Sequence, residues 1–417
     1  MKNLAVGSKK MKGELVLIST SLLAVLLMGS GSVMAAGVNN SPSPDVTHRT
    51  LTSPNPGDSG LFGSALAISG TTLVVGAPEE NPNGQSSAGR VYIFNAKTGA
   101  LSHTLVSPNV QLDGFFGEAV AITGTTLAVG ASETVSGLTG AGRVYIFNAG
   151  TGALVRTLTS PNQQTYGGFG DSVALSSTTL VIGADGETAN GLASAGHVYV
   201  YNSGTGALLL TLTSPSAQAD GSFGSPLAFS GSTLAIGAEM ESADGFDQAG
   251  HAYVFNVGTG ALLYSLTSPN AQAYGNFGGS IAISGTTLIV GARFEEAGGQ
   301  GEAGSAYVFN PSTGALARTL TSPNLISGGQ FGSSVAVSGN TLVVGARSEN
   351  VGTRTSAGRA YTYNAGTGAL LSTLTSTNAQ RNGFFGSPLA IRGSIIVVAA
   401  PYEKVSGFTW AGHVYIY

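Results

Sequence analysis

The chain has no cysteine, a single tryptophan and few charges, with only 9% of its 417 residues being Asp, Glu, Lys or Arg. Each shortage closes off a class of molecule. Without cysteine there are neither disulfide staples nor thiolate metal centres, so stability has to come from burial and strand pairing. A formal net charge of -4 leaves no basic field that could hold nucleic acid through its phosphates. None of the five histidines has the H-E-x-x-H spacing of a zinc enzyme, and no G-x-S-x-G elbow or phosphate-cradling loop occurs.

Long apolar runs are confined to the start. Lys9, Lys10 and Lys12 precede an apolar stretch from Leu15 to Leu27, and Val33-Met34-Ala35-Ala36 follows. Basic, then apolar, then small at the cleavage site is the order of a secretory signal, expected over residues 1–36 with cleavage after Ala35 or Ala36. The competing reading is a transmembrane anchor, but the apolar core is short for a ~20-residue span and the small residues follow at once. No cysteine stands near the cut, which excludes a lipoprotein anchor. Residues 37–46, with two prolines and two asparagines and no apolar period, read as a flexible leader. The expected product is exported, secreted or extracellular (at the periplasm or cell surface in the alternative), with no membrane span after cleavage.

Glycine is abundant, at 63 residues, and it is placed periodically. From Phe62 the text runs F-G-S-A-L-A-I-S-G-T-T-L-V-V-G-A-P, a polar loop ending in A-G, then R-V-Y-I-F-N-A-K-T-G and a segment closing in S-P-N. The F-G glycine returns at Gly63, Gly117, Gly170, Gly224, Gly278, Gly332 and Gly386, every 53 or 54 residues. A constant period of this length marks a stacked or circular array. Within one repeat, Ala65–Ile68 alternates small and large residues as a strand does. A tight turn, Ser69-Gly70-Thr71-Thr72, leads to Leu73–Ala77, apolar on both faces and therefore covered on both. Arg90–Phe94 is rich in β-branched and aromatic residues. The fourth segment, Ala100–Val106, is an edge: its middle position varies through His103, Arg156, Leu210, Tyr264, Arg318 and Ser372, and prolines such as Pro108 close it. Four antiparallel strands per repeat, apolar inside and polar outside, make a propeller blade.

The last repeat stops at Val414-Tyr415-Ile416-Tyr417, without its fourth strand, while residues 47–54 carry the matching text T-L-T-S-P. The expected fold is all-β: a seven-bladed β-propeller over residues 47–417, its four-stranded antiparallel blades closed when the N-terminal strand completes the C-terminal blade. An open solenoid would instead leave exposed edges and ask for capping repeats, of which there is no sign.

F-G at the blade start, Gly76-Ala77-Pro78 after the second strand and V-Y-I-F on the third resemble the FG-GAP repeats of the integrin alpha-subunit propeller, and more closely the short bacterial form of that repeat. The resemblance covers residues 47–417. It implies a propeller used for binding or adhesion outside the cell, and it implies no chemistry. Integrin-type repeats commonly carry a D-x-D-x-D-G calcium loop between F-G and G-A-P; here that interval holds only the tight turn, so those calcium sites are not carried over.

Any site is expected on the face bearing the long loops, those between second and third strands and those entering the next repeat. Glutamates recur there, Glu80, Glu133, Glu187, Glu241, Glu295, Glu349 and Glu403, facing Arg90, Arg143, His197, His251, Ser305, Arg359 and His413 at the start of the third strand. A repeated ion pair pinning each loop is one reading and a ring of cation-binding carboxylates the other. The loop of the fourth blade is the most acidic, and Glu239, Glu241, Asp244 and Asp247 could offer the several oxygens that calcium wants. No other cofactor is expected. Departures from the repeat point to a ligand: Pro78, Ser132, Asp185, Glu239, Arg293, Arg347 and Pro401 stand at one equivalent position, and the seventh blade concentrates Tyr402, Phe408 and Trp410. Arg293, Arg347, Tyr402, Phe408 and Trp410 are thus the candidate ligand-binding residues, for an extracellular protein or glycan stacked on or anchored by the aromatic planes. Alternatively Trp410 covers the seam where the termini meet. A monomer is expected. The competing functions are a polysaccharide-active hydrolase or lyase using carboxylates of the loop face and a structural surface or matrix component.

Overall fold

The computed structural model describes residues 48–417; the expected signal segment, 1–36, and leader, 37–46, lie outside them. Seven four-stranded antiparallel sheets make up the fold. In the first blade β2 (Ala65–Ser69), β3 (Thr72–Ala77), β4 (Arg90–Asn95) and β5 (Leu101–Val106) are neighbours in that order. The first strands of the blades touch one another in a closed cycle, β2, β6 (Val120–Thr123), β10 (Ser172–Leu175), β14 (Leu227–Ser230), β18 (Phe277–Ser284), β22 (Phe331–Ser338), β26 (Leu389–Arg392) and back to β2. They therefore line the axis, and the fourth strands lie outermost.

Closure is by the N-terminal strand. β1 (Arg49–Thr52) pairs with β28 (His413–Ile416) in the register Arg49 with Ile416 and Leu51 with Val414, completing a sheet that continues through β27 (Ile395–Ala400) to β26. No sheet edge is left to open the ring.

The core lies between blades. Side chains alternate along each second strand, so Leu73 and Val75 join a cluster with the seventh blade while Val74 joins one with the second, and seven such clusters run round the ring. The repeat motifs follow from this packing. Phe62 is fully buried and meets Tyr92 and Phe94 edge-on at 5.7 and 6.0 Å, the arrangement that aromatic quadrupoles favour. A Cβ on Gly76 would lie 2.0 Å from the carbonyl oxygen of Gly117: the F-G glycine of one blade rests on the G-A glycine of the blade before it, and only glycine lets the two backbones approach so closely.

Two local expectations are refined. In the 69–72 turn only Gly70 takes a positive φ, of 59°, and in the 95–99 turn Asn95 works through its side chain, whose Oδ1 accepts from the amides of Lys97 and Thr98 at 3.0 Å. The variable middle position of the fourth strand does not simply face water. Tyr264 donates to the Ser312 carbonyl at 2.7 Å, Arg156 to that of Gly204 at 3.2 Å and Arg49 to that of Lys97 at 3.1 Å, each tying its blade to the turn of the next. Arg49, His103, Arg156 and Tyr264 thus satisfy the same turn carbonyl in four blades, whereas Arg318 reaches the neighbouring Ala365 carbonyl and Ser372 bonds Thr362 of its own blade. Among the described residues no helix is long and apolar enough to cross a membrane.

Candidate functional site

The repeated glutamates are part of the frame. Glu133 accepts from the Tyr145 hydroxyl at 2.6 Å, from Arg143 at 2.6 Å and from Asn109 at 3.1 Å, and it also bonds Ser107. The same Tyr–Glu bond recurs in every blade, made by Tyr92, Tyr199, Tyr253, Tyr307, Tyr361 and Tyr415. The arginine or histidine at the start of the third strand lies beside the carboxylate at 3.2 Å for Arg90, 3.0 Å for His197, 3.2 Å for His251, 3.5 Å for Arg359 and 3.0 Å for His413. All seven carboxylates are buried, so each is held as a hydrogen-bonded ion pair or hydroxyl partner. Burial, and then the glutamate's negative charge and hydrogen bond, push the tyrosine hydroxyls up, Tyr145 to about 12.

This places the four acidic residues of the fourth blade apart. Glu241 belongs to the buried frame with Tyr253 and His251. Glu239 pairs with Arg293 of the next blade, Nη1 to Oε2 at 2.9 Å, and Asp244 and Asp247 are exposed farther along the loop. Among the described residues no three His, Asp or Glu side chains are grouped to hold a metal ion.

A second ring, nearer the axis, varies from blade to blade. Glu118 and Asp171, each directly after an F-G pair, meet Ser132 and Asp185, each directly after a G-A pair. The Ser132 hydroxyl lies 2.8 and 2.7 Å from the two Glu118 oxygens and 3.2 Å from Asp171 Oδ1. The surrounding protein, and then the charges of Asp185 and Glu133, push Glu118 up to about 8, against the hydrogen bonds of Ser132 and Asp171. Asp171 is open to the water of the funnel yet ringed by blades. That enclosure, then the charges of Glu118 and Asp185, lift it well above the ordinary range. Carboxylates gathered on one hydroxyl raise one another's pKa.

The opposite side of the ring is basic and aromatic. Arg347 donates through Nε to Gln330 at 2.8 Å and stands 5.9 Å from the Phe384 ring centroid, without a carboxylate partner among the described residues. Burial, and then repulsion from Arg293, lower its pKa. Phe384 meets Tyr402 edge-on at 5.3 Å, and Tyr402 meets Trp410 at 6.1 Å. Arg293, Arg347, Tyr402 and Trp410 therefore form one arc across blades five to seven, which Phe384 completes. Sequence reading missed Phe384; its signal is that residues before the F-G phenylalanine run Leu61, Phe115, Gly168, Ser222, Asn276, Gln330 and Phe384, as varied as the ring itself. Phe408 stays out of the arc: it closes the Val405–Phe408 bridge of its loop and joins none of the ring pairs.

Trp410 stands where the first and last blades meet, at a position whose carbonyl is used in the same way in other blades. Its carbonyl accepts from Leu61 N–H at 2.9 Å across the seam, while its side chain is 51% exposed. Its φ is +53°, at a position where other blades place Ser87, Gly140, Ser194, Gln248, Glu302 and Ser356. Beside the arc, between blades four and five, opens a cleft of about 590 Å³ that includes Tyr274, Asn276, Arg293, Phe294 and Glu302. Arg293 lies over Phe294, 4.9 Å from its centroid.

No curated protein matches the chain. Among solved structures it is similar to the crystal structure of the computationally designed Ika8 protein, at 18% identity over 87% of this chain and 97% of that one, with a TM-score of 0.49. The family profile described as FG-GAP repeat matches residues 47–94, 103–147, 153–201, 264–309 and 317–363. Those matches span more than half the chain and fall on blades whose F-G and G-A glycines interlock as described, and the chain belongs to the FG-GAP repeat family.

Proposed function

We propose that this is an exported binding or adhesion propeller whose ligand lies on the loop face, along the arc from Arg293 and Arg347 through Phe384 and Tyr402 to Trp410. The observation that carries the reading is Trp410. An indole held at positive φ costs conformational energy, and half of it faces water, so neither packing nor turn geometry asks for it. Exposed rings beside guanidinium groups suit a glycan, or a protein surface, that offers an apolar ring face next to an anionic group. Arg347, with no carboxylate to satisfy it and Arg293 repelling it, gains most from such an anion. Export rests on the basic, apolar and small-residue order of residues 9–36, and N-terminal sequencing of the mature protein would read the cut after Ala35 or Ala36. A glycan array and a pull-down test the binding reading: Trp410→Ala and Arg347→Ala should each weaken capture by about tenfold or more, and capture indifferent to both moves the ligand elsewhere.

A second reading, a polysaccharide hydrolase or lyase, is favoured by the carboxylates of the funnel. Glu118 keeps its proton near neutrality, as a general acid must. Turnover on a panel of polysaccharides, lost in Glu118→Gln but kept in Glu80→Gln, would establish it. Silence in the array, the pull-down and the panel would favour a purely structural role.

A further inference from the structure

We propose that the fifth blade carries a receptor site for a guanidinium group, in the space where six other blades place an arginine or a histidine of their own. In those six, Oε2 of the buried glutamate takes a tyrosine hydroxyl and lies beside the Arg or His that opens the third strand, at 2.6 to 3.5 Å. In blade five that strand, β20 (Ser305–Phe309), opens with serine. Glu295 bonds Tyr307, has no ion-pair partner among the described residues, and leaves its Oε1 without a hydrogen bond. The amide of Asn270, whose counterparts Asn109, Asn162 and Asn324 donate to the glutamate, turns to the Glu296 carbonyl at 3.1 Å.

The missing side chain is matched by a cavity of about 430 Å³, whose lining includes Asn270, Glu296, Ser305, Tyr307, Thr319 and Thr321. Hydroxyls, the amides of Asn270 and Gln272 and one exposed carboxylate line it, with no Arg, Lys or His among the described lining residues. Glu295 itself is fully buried and is not part of that lining, to which its hydrogen-bond partner Tyr307 and the serine at the cation position contribute, so a guanidinium reaching Oε2 has to displace the Ser305 side chain. Arginine occupies the equivalent position in blades one, two and six, which fits a planar guanidinium with its fork of donors to the chemistry of the site. Burial, offset by the Tyr307 hydroxyl, pushes Glu295 up to about 7, so an arriving cation meets a carboxyl that ionises readily above neutrality. The cavity shares Gln272 and Glu296 with the cleft beside the arc but is lined by no residue of the arc itself. Its ligand is either a small free guanidinium compound or an arginine side chain on another chain.

Agmatine and the tripeptide amide Gly-Arg-Gly separate these sources, each titrated at pH 8 by calorimetry into the full mature protein, with n-propylamine and NaCl as controls. Saturable binding of agmatine supports a free cation, and of the peptide alone a protein-borne arginine. In either case Ser305→Arg, which copies blades one, two and six and should fold, and Glu295→Gln should each weaken binding by about tenfold or more. If neither probe binds, or if Ser305→Arg binds as well as wild type, the proposal is overturned.

Discussion

Glu239 and Glu241 stand two residues apart in the same loop and have opposite fates. Glu241 points into its own blade and is held by Tyr253 and His251, as its counterpart is in nearly every blade. Glu239 points to the axis and pairs with Arg293 of the following blade, at a position that elsewhere holds proline, serine, aspartate or arginine. The outer ring answers a need every blade has, namely to pin a long loop against its sheet. The inner ring answers no common need and is free to become a surface with an acidic sector, a basic sector and an aromatic one. In a repeat protein, what recurs reports on the scaffold and what departs from recurrence reports on the ligand.

The most direct way to break that comparison is to remove one carboxylate from each ring. Glu133→Ala strands the Arg143 guanidinium and the Tyr145 and Ser107 hydroxyls, and loss of one partner of a buried pair costs about 3–5 kcal/mol. Glu239→Ala removes a partly exposed pair and should cost about 1 kcal/mol or less. Urea denaturation of both variants checks the contrast, and equal costs would mean that the inner ring is structural too.

The fifth blade sharpens the comparison from within the outer ring, because Glu295 is the one member facing serine. Its folded pKa of about 7 lies above the ordinary carboxylate value, so the folded state holds this proton more tightly than the unfolded one. The resulting stability is full below the unfolded pKa and is lost as pH rises through 7, an effect on the order of 3 kcal/mol. Ser305→Arg should remove much of that loss. Thermal melts from pH 4.5 to 8 should show a flatter profile for the variant, with the two proteins converging at the acid end. Parallel profiles would dissociate the missing cation from the titration of Glu295.

The third comparison sets stability against binding. Trp410→Ala should leave stability within about 0.5 kcal/mol, since the indole is half exposed, while capture of the ligand found by array or pull-down falls by about 2 kcal/mol. Glu80→Gln should show the reverse pattern, stability falling and capture unchanged. Denaturation and capture measured on both variants make the test.

The scaffold was legible because its constraints are written again in blade after blade. The F-G and G-A glycines, the Tyr-x-Phe strand and the return of T-L-T-S-P at Thr50 led to the blades, to their number and to the strand that closes them. The candidate site was legible only in part. Arg293, Arg347, Tyr402 and Trp410 could be singled out as departures from the repeat, but their assembly into one arc depends on Phe384, which sits beside an invariant-looking phenylalanine and was overlooked. The four acids of the fourth blade read as one group because they are close in sequence. Glu239 and Glu241 both lie in the turn beyond the second strand of that blade, which ends at Ala238, where the two-residue period of a strand no longer sets side-chain direction, and they belong to different rings. Ser305 showed the same limit: its departure was visible, but the cavity it leaves is a matter of volume, which a string of letters does not carry.

The smallest expected effect concerns the funnel carboxylates and separates the inner ring's own stability from its chemistry. Glu118, held up to about 8, keeps its proton in the folded protein at pH 7 and loses it in the unfolded chain, so the folded state is penalised as pH rises from the ordinary carboxylate range toward 8. Glutamine mimics the protonated form and carries no such penalty. Glu118→Gln should therefore be more stable than wild type at pH 7 to 8 by about 1 kcal/mol, a figure reduced from the full shift because water enters the funnel. The difference should vanish near pH 4, where both side chains are neutral in both states. Urea titrations at the two pH values decide the matter. A variant less stable than wild type at pH 7 would mean that the Glu118 carboxylate is ionised and paired in the folded protein, which would remove the proton that the enzyme reading requires.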